Sequence, residues 1–307
     1  MAKKRNSGES SAGHAFGGDW TKDKLDVLAG YLTAYTTALK DQPFVKGYID
    51  AFAGTGYRDP RREGAVTSLS SDLLFPDLAE NAPQEYLDGS ARLALKTTPR
   101  FDRYIFIERS QRRCAQLEAL KAEFTELAPD IRIHNGDANA EIQKMCALRW
   151  GNRRAVMFLD PYGMQVDWST IEAIAKTEAI DLWLLFPLGI GVSRLLTKSG
   201  QIPPAWGHRL DVLLGTKDWF DEFYRFEAPK TLFDSDEQRV VRASNNVIGR
   251  YFNERLKLIF AGVAERPKVL LNSRKCPLYL LCFAAGNKKG ASIAVKIAEH
   301  LLSKEAD

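Results

Sequence analysis

Four short apolar runs of the sequence each end in residue types that could bind a ligand or carry out chemistry. The first run, Tyr48 to Phe52, contains Asp50 and stops at a glycine-rich turn. The next three runs end at Glu108, at Asp137 and at Asp160. Because the carboxyl ends of parallel strands meet at one edge of a sheet, we expect these four acids to line one crevice.

The glycine-rich turn after the first run would let a ligand approach the backbone closely. Gly54 and Gly56 have no Cβ and permit a tight turn. The dinucleotide fingerprint requires a third glycine, but Arg58 and Asp59 follow here. Asp50 would repel a pyrophosphate, whereas it could accept from the cationic amino-acid end of S-adenosylmethionine. These residues favour a methyl donor over a nicotinamide cofactor, and an NAD-dependent oxidoreductase is the weaker alternative.

The acids after the second and third runs suit the adenosine part of such a ligand. Glu108 could accept from both ribose hydroxyls. Its structural alternative is a residue beside a helix start that pairs with Arg109 or Arg112. Asp137 could accept from the adenine amine, with residues 138–139 beside the ring, or it could simply favour the N-terminus of the following helix.

The fourth run leads into Asp160-Pro161-Tyr162-Gly163, which we interpret as the catalytic motif. The proline fixes the backbone, so that the Asp160 side chain and a neighbouring carbonyl face the pocket mouth. Their oxygens could orient an amine lone pair towards a methyl group, and Tyr162 could stack on a flat ring. Methyl transfer from a sulfonium depends mainly on positioning and requires no metal. The alternative is an ordinary turn between a strand and a helix.

Strands that alternate with helices at this spacing predict a mainly parallel sheet with right-handed crossovers. The link between the last two predicted strands is short enough only for an antiparallel hairpin. The predicted fold class is therefore α/β, a seven-stranded Rossmann-like sheet of five parallel strands plus an antiparallel C-terminal hairpin, with a helical insertion. The predicted strands are 48–52, 103–107, 131–134, 155–159, 180–186, 268–271 and 278–284.

The same pattern divides the chain into four segments. Residues 1–18 form a disordered tail, and 19–187 form the ligand-binding core. Residues 188–265 form the helical insertion, with predicted helices over 192–197, 209–224 and 238–260. Residues 266–307 complete the core with the hairpin and a last helix over 291–302.

A long loop, residues 59–86, interrupts the core where a ligand would bind, and we expect it to cover the pocket. Arg58, Arg61 and Arg62 lie on this inserted loop beside the pocket and could contact a nucleic-acid substrate, with neighbouring aromatic side chains stacking on bases. A solvated basic surface is the alternative explanation for these arginines.

Composition sets limits on the function. The net charge of the 307-residue chain is +4, half of it in residues 1–18, so a globally basic body is no reason to infer nucleic-acid binding. The four cysteines have no metal or disulfide spacing and are expected to be buried thiols of a cytoplasmic protein. No apolar run has the length of a membrane span, and the N-terminus does not have the form of a secretory signal.

Together these motifs resemble those of class I S-adenosylmethionine-dependent methyltransferases, whose fold has seven strands with the last inserted antiparallel. The resemblance implies that S-adenosylmethionine is the cofactor and that Asp160, Pro161 and Tyr162 are catalytic. The expected substrate contacts, from the local sequence, are Arg58, Arg61, Arg62 and Tyr162. The implied cofactor-binding residues are Asp50, Phe52, Ala53, Gly54, Thr55, Gly56, Glu108, Arg109, Asp137, Ala138 and Asp160.

A narrower resemblance, over Trp20 to Phe226, is to the three-Cys-motif partner (TcmP) family. The residues that carry it are 48–56, 89–91, 106–108 and 158–163. This resemblance implies a radical-SAM-like partner protein with a three-cysteine motif. The motif at Asp160 lacks the second proline of the Asp/Asn-Pro-Pro-Tyr/Phe pattern and is closer to the Asp-Pro-Phe-Gly of tRNA guanine amino-methyltransferases. Two functions stay open: methyl transfer to an exocyclic amine of a nucleic-acid base, or a non-catalytic subunit that binds the cofactor and acts with its partner.

Overall fold

A computed structural model describes residues 19–54, 89–227 and 239–304 of the chain. The strands are β1 Val45–Asp50, β2 Arg103–Glu108, β3 Ile131–Asn135, β4 Arg153–Leu159, β5 Ile180–Phe186, β6 Tyr224–Glu227, β7 Arg239–Arg242, β8 Gly262–Val263, β9 Lys268–Leu271 and β10 Pro277–Ala285. The α-helices are α1 Asp19–Ala38, α2 Ser90–Lys96, α3 Gln111–Glu123, α4 Ala138–Cys146, α5 Trp168–Lys176, α6 Ser193–Leu195, α7 Pro204–Leu214, α8 Trp219–Phe223, α9 Asn245–Lys257 and α10 Ala291–Leu302. A 3₁₀ turn, Ala128–Asp130, and a π-helical turn, Leu188–Val192, complete the described elements.

The central sheet has the strand order β3-β2-β1-β4-β5-β10, with β8 and β9 along the far edge of β10. The first five strands are parallel, because helices return the chain to the same end of the sheet each time. β10 is antiparallel both to β5 and to β9, which precedes it in a hairpin. The predicted mainly parallel sheet with its antiparallel hairpin is confirmed, but the sheet has eight strands and not seven, because the two-residue β8 also pairs with β10.

Alternate residues of the parallel strands enter two separate cores, since successive side chains point to opposite faces. On one face Met157 and Leu184 pack with residues of helices α4 to α9. On the other face Phe158 and Trp183 pack beneath α1, α3 and α10. Almost every residue in β4 and β5 is buried, which explains why these strands read as continuous apolar runs.

The segment after β5 differs from the predicted run of helices. Residues 224–227 and 239–242 form a separate two-stranded antiparallel sheet, β6 with β7, where helix was expected. The predicted helices over 209–224 and 238–260 were therefore wrong at their adjoining ends: α8 ends at Phe223 and α9 begins at Asn245. Short strands with exposed charged residues carry a weak period-two signal, which the neighbouring helical pattern obscured.

Several predictions fall on residues that the structure does not describe. The tail over 1–18 and the loop over 59–86 lie outside the described residues, as do Thr55, Gly56, Arg58, Arg61 and Arg62. These assignments stay predictions.

The π-helical turn directly after β5 packs against the start of β10. The Val192 amide donates to the Pro187 carbonyl at 2.9 Å, which is the spacing of a π-turn. A Cβ on Gly189 would lie 1.8 Å from the carbonyl oxygen of Pro277, a backbone atom that cannot rotate away. A Cβ on Gly191, in the same turn, would lie 2.9 Å from Cγ of Met164, four residues beyond Asp160.

We therefore expect Gly189→Ala to lower the free energy of unfolding by about 3 kcal/mol, because either the turn or β10 must shift. Urea unfolding of the purified protein measures this. Gly207→Ala in α7 is the matched control, since its Cβ meets no heavy atom of the described residues within 4 Å. It should leave stability within about 1 kcal/mol of the parent or raise it. Equal losses from both substitutions would contradict the assigned contact.

Candidate functional site at the carboxyl edge of the sheet

The structure brings the predicted acids to the carboxyl edge of the parallel strands. Asp50 is paired in register with Phe106 of β2 and Phe158 of β4, each two residues before an acid, Glu108 and Asp160 respectively. Asp137 follows β3 by two residues and begins the next helix. The four carboxyl groups thus follow the adjacent strands β3, β2, β1 and β4.

Asp50 is fully buried and hydrogen-bonded by neutral groups. The Ser90 hydroxyl donates to Oδ2 at 2.5 Å, the Tyr48 hydroxyl donates to the same oxygen at 3.3 Å, and the Phe52 amide donates to Oδ1 at 3.3 Å. Burial raises the pKa of Asp50 to about 7, and the nearby Asp160 carboxylate adds to the rise. A cationic ligand bound beside such a buried carboxyl would stabilise its ionised form.

The turn after Asp50 is built for close approach of a ligand. The Ala53 amide donates to the Ile107 carbonyl at 3.2 Å, which ties the turn to β2. Gly54 has a φ of +61°, a conformation that favours glycine. No heavy atom of the described residues lies within 4 Å of the position that a Cβ on Gly54 would take. Phe52 is partly buried against the core beneath this turn.

Glu108 is 8% exposed and lies beside the start of α3. Its Oε1 accepts from the Ser110 amide at 2.8 Å, and its Oε2 lies 3.8 Å from a guanidinium nitrogen of Arg113. This distance identifies the cationic neighbour as Arg113, whose side chain is itself 52% exposed, and not as the expected Arg109 or Arg112. The second carboxylate oxygen has no closer hydrogen-bond donor in the described part of the chain and is the one suited to a hydroxyl ligand.

Asp137 caps α4, since its Oδ1 accepts from the Ala140 amide at 3.1 Å. Its side chain is exposed, and Ala138 beside it is buried. Both polar groups of the Asn139 side chain already form hydrogen bonds within the protein. Its oxygen accepts from the Asp167 amide at 3.0 Å, and its nitrogen donates to the Gln165 carbonyl at 2.8 Å. This pair fixes α4 to the loop that follows the Asp160 motif.

The Asp160 motif presents two accessible side chains on a fixed turn. Pro161 and Gly163 are buried, and Gly163 has a φ of +69°. The Asp160 side chain is 28% exposed and Tyr162 is 50% exposed. An exposed aromatic ring beside a half-open carboxylate is suited to hold a flat, amine-bearing ligand.

Asp160 forms an ion pair with Lys24, which the sequence-based assignment of the site missed. Lys24 lies in α1, its side chain is 4% exposed, and its ammonium group lies 5.0 Å from the centre of the Trp20 ring. Further along α1 the Tyr31 hydroxyl donates to Asp181, near the start of β5, at 2.7 Å. The helix therefore runs from the carboxyl edge of the sheet towards its amino edge, and its first turns cover the site.

Two buried acids make the stability of the free protein depend on pH. The pKa of Asp181 is raised to about 6 by burial, and that of Asp50 to about 7. A carboxyl with a higher pKa in the folded protein keeps its proton longer there than in the unfolded chain. The contribution of these two groups to stability is therefore fully present below about pH 4 and is lost as the pH rises towards 7.

We expect Asp50→Asn to remove much of this loss, on the order of 4 kcal/mol between about pH 4 and pH 8, because the amide cannot ionise. Urea unfolding across that pH range measures it. Asp221→Asn, an exposed change in α8, is the matched control and should follow the parent protein. If the Asp50 variant lost as much stability as the parent over this pH range, the assignment of the pH dependence to Asp50 would be contradicted.

Neither known protein families nor curated proteins provide a match for this sequence. Similar solved structures include a DUF519-family protein from Legionella pneumophila, 12% identical, with a TM-score of 0.46, covering 94% of this chain and 93% of that one. Spermidine synthase from Thermotoga maritima is 11% identical, with a TM-score of 0.41 and coverages of 94% and 67%. Magnesium protoporphyrin IX methyltransferase from Synechocystis, solved with bound SAH, is 12% identical, with a TM-score of 0.38 and coverages of 87% and 84%.

These similarities are loose and bear on the fold alone. Five parallel strands in the order β3-β2-β1-β4-β5, followed by an antiparallel β10, form a Rossmann-like α/β sheet, as the sequence predicted. Among the described residues, no three His, Cys, Asp or Glu side chains form a group that could hold a metal ion. None of the helices described is long and apolar enough to cross a bilayer.

Proposed function

We propose that this protein is an S-adenosylmethionine-dependent methyltransferase that acts on an exocyclic amine of a nucleic-acid base. The observation that carries the proposal is the pairing of a buried acid, Asp50, with a half-open one, Asp160, at the ends of neighbouring strands. The first is placed to balance a cationic donor and the second to receive an acceptor. When bound, S-adenosylmethionine supplies an electrophilic methyl group on a sulfonium.

The residues at the carboxyl edge fit that cofactor. Among the described residues every hydrogen-bond donor to Asp50 is neutral, so these donors leave the charge of its ionised form for a ligand to balance. Gly54 leaves space above the turn, and the Oε2 oxygen of Glu108 can accept from a ribose hydroxyl. Asp137 would contact the adenine amine through the oxygen that does not cap α4. Arg109 is exposed beside Glu108 and would lie at the rim.

The position of Lys24 indicates which kind of methyl acceptor the site would bind. Its ammonium group donates to Oδ2 of Asp160 and compensates the carboxylate charge. A positively charged amine would therefore gain little binding free energy at Asp160, whereas an uncharged amine could still donate a hydrogen bond to Oδ1. The amines of nucleic-acid bases are uncharged and attached to flat rings, which Tyr162 could stack upon. Methyl transfer then requires Asp160 to hold the amine with its lone pair towards the donor.

A second candidate function is a non-catalytic subunit of the three-Cys-motif partner type, which would bind S-adenosylmethionine and act through a radical-SAM-like protein. The Lys24–Asp160 ion pair favours this alternative, because it already occupies the side chain assigned to catalysis. Membership of the TcmP family is part of the same proposal.

Transfer of a radiolabelled methyl group in cell extract distinguishes the two functions. The purified protein is incubated with labelled S-adenosylmethionine and extract, and the label is then sorted into DNA, RNA, protein and small molecules. The proposal predicts label on a base amine of DNA or RNA and none with Asp160→Ala. Label on protein or small molecules would overturn the acceptor class, and the absence of label, with a partner protein co-purifying, would favour the second function.

A further inference from the structure

Basic side chains collect at the amino edge of the sheet, on the side opposite the site described above. In the register of the sheet Lys46 pairs with Arg154, Gly47 with Arg103, and Ile105 with Arg132. The starts of β3, β2, β1 and β4 are therefore neighbours, and they span about 14 Å at the usual strand spacing. We define the amino-edge face by six residues: Lys46, Arg100, Arg103, Arg132, Arg153 and Arg154.

The charge of the amino-edge face is only partly balanced. Lys46 pairs with Asp102 at 3.3 Å, and Arg103 pairs with Asp130. No ion pair joins the other four arginines to an acid in the described part of the chain, so the face carries a surplus of positive charge.

Two ion pairs lie beside the amino-edge face. Lys40 pairs with Asp41 at 4.0 Å before β1, and Lys288 pairs with Glu178 at 2.6 Å before β5. With two of its six cations paired, the face has a surplus of four positive charges. The opposite edge of the same strands carries the acids Asp50, Glu108 and Asp160, whose charge Lys24 and Arg113 partly balance.

Three of these arginines are held in place by main-chain carbonyls. One guanidinium nitrogen of Arg132 donates to Pro129 at 2.9 Å, one of Arg153 donates to Arg149 at 3.1 Å, and one of Arg154 donates to Gly151 at 3.0 Å. Arg154 also stacks on Phe44, with 4.4 Å between guanidinium carbon and ring centre. An arginine has five N–H donors, so each keeps several for a ligand while losing little freedom on binding.

We propose that the amino-edge face binds the sugar–phosphate backbone of a nucleic acid. Five of its six cations are arginines, whose planar fork matches phosphate oxygens in pairs. Their arrangement along one edge suits a linear polyanion better than a single small anion. Contacts to phosphates alone carry no sequence information, so binding at this face would be largely independent of sequence.

This inference goes beyond the proposed function and does not depend on it. The two edges of the sheet are separated by the length of β4, about 23 Å at the usual rise per residue. A nucleic acid could bind the amino-edge face whether or not a base enters the pocket. Binding and methyl transfer are therefore measured separately.

Fluorescence anisotropy of the full-length protein with labelled single-stranded RNA and single-stranded DNA tests the proposal. The salt concentration is varied from about 50 to about 200 mM, since the logarithm of the affinity falls with that of the salt in proportion to the phosphates contacted. The face variant is Arg100→Gln/Arg132→Gln/Arg153→Gln. The control variant is Lys217→Gln/Arg225→Gln/Arg250→Gln, three exposed basic residues of the segment after β5.

The face variant should bind at least about tenfold more weakly at the lowest salt, and its salt slope should be smaller by about 2 to 3. The control should stay within about twofold of the parent. The proposal is overturned if the face variant keeps both its affinity and its slope, or if both variants lose equally. It is also overturned if the parent binds vesicles containing phosphatidylserine but neither nucleic acid. The face variant is also assayed for methyl transfer to a nucleoside. If it keeps that activity while losing nucleic-acid binding, the binding result is independent of the proposed function.

Discussion

Asp160→Ala is expected to lower the rate of methyl transfer by about 10²- to 10⁴-fold while leaving the affinity for S-adenosylmethionine within about threefold. The side chain that would hold the acceptor amine is lost, whereas Asp50, Gly54 and Glu108 are untouched. Single-turnover transfer of a labelled methyl group and calorimetric titration of the donor measure the two quantities. Near-normal transfer by this variant would contradict the catalytic assignment.

Loss of the fold must be separated from loss of catalysis, because Asp160→Ala removes the carboxylate partner of the buried Lys24. Breaking a buried ion pair from one side costs about 3 to 5 kcal/mol. The double variant Lys24→Met/Asp160→Ala replaces both charges and should regain most of that stability without regaining activity. Lys24→Met alone keeps the carboxylate and should retain far more activity than either variant that lacks it.

The affinity for S-adenosylmethionine should weaken as the pH falls below 7, by up to about tenfold per pH unit. Burial raises the pKa of Asp50 to about 7, so at lower pH the free protein holds a proton where the cationic ligand requires a carboxylate. Above about pH 8 the α-amino group of the ligand itself loses its proton. Affinity should therefore be greatest between these values, as titrations at a series of pH values will show.

Asp50→Asn identifies the titrating group. The amide keeps the size of the side chain but cannot ionise, so we expect about 10²-fold weaker binding at pH 7.5 and almost no pH dependence between 5 and 7. Ser90→Ala removes only the neutral donor at 2.5 Å and should keep the pH dependence, with its midpoint moved upwards because that hydrogen bond lowers the pKa of Asp50. A pH profile unchanged by Asp50→Asn would assign the titration to another group.

The central sheet could be predicted because the sequence signals that define its strands are local. β5 is buried along its whole length and reads as an uninterrupted apolar run, and the short link before β10 permits only a hairpin. The acids at the ends of β1, β2 and β4 follow from the same runs, since a parallel sheet places those ends together. Their positions needed no knowledge of tertiary contacts.

Lys24 could not be predicted, because its partner lies 136 residues away. A lysine in an amphipathic helix between Asp23 and Asp26 reads as a solvent-facing residue, and only the path of α1 over the carboxyl edge reveals its burial. The β6–β7 pair was missed for a related reason: each strand has four residues, and both need the other to form. Contacts of this range leave no periodic signal in the sequence.

Calorimetric titration of the full-length protein with S-adenosylmethionine, and separately with NAD, tests the central claim most directly. We predict one site for S-adenosylmethionine at pH 7.5, competition by S-adenosylhomocysteine, at least about tenfold weaker binding in Glu108→Ala, and no heat with NAD. Binding of NAD at the same site, or S-adenosylmethionine binding that is unchanged in both Asp50→Asn and Glu108→Ala, would contradict the account.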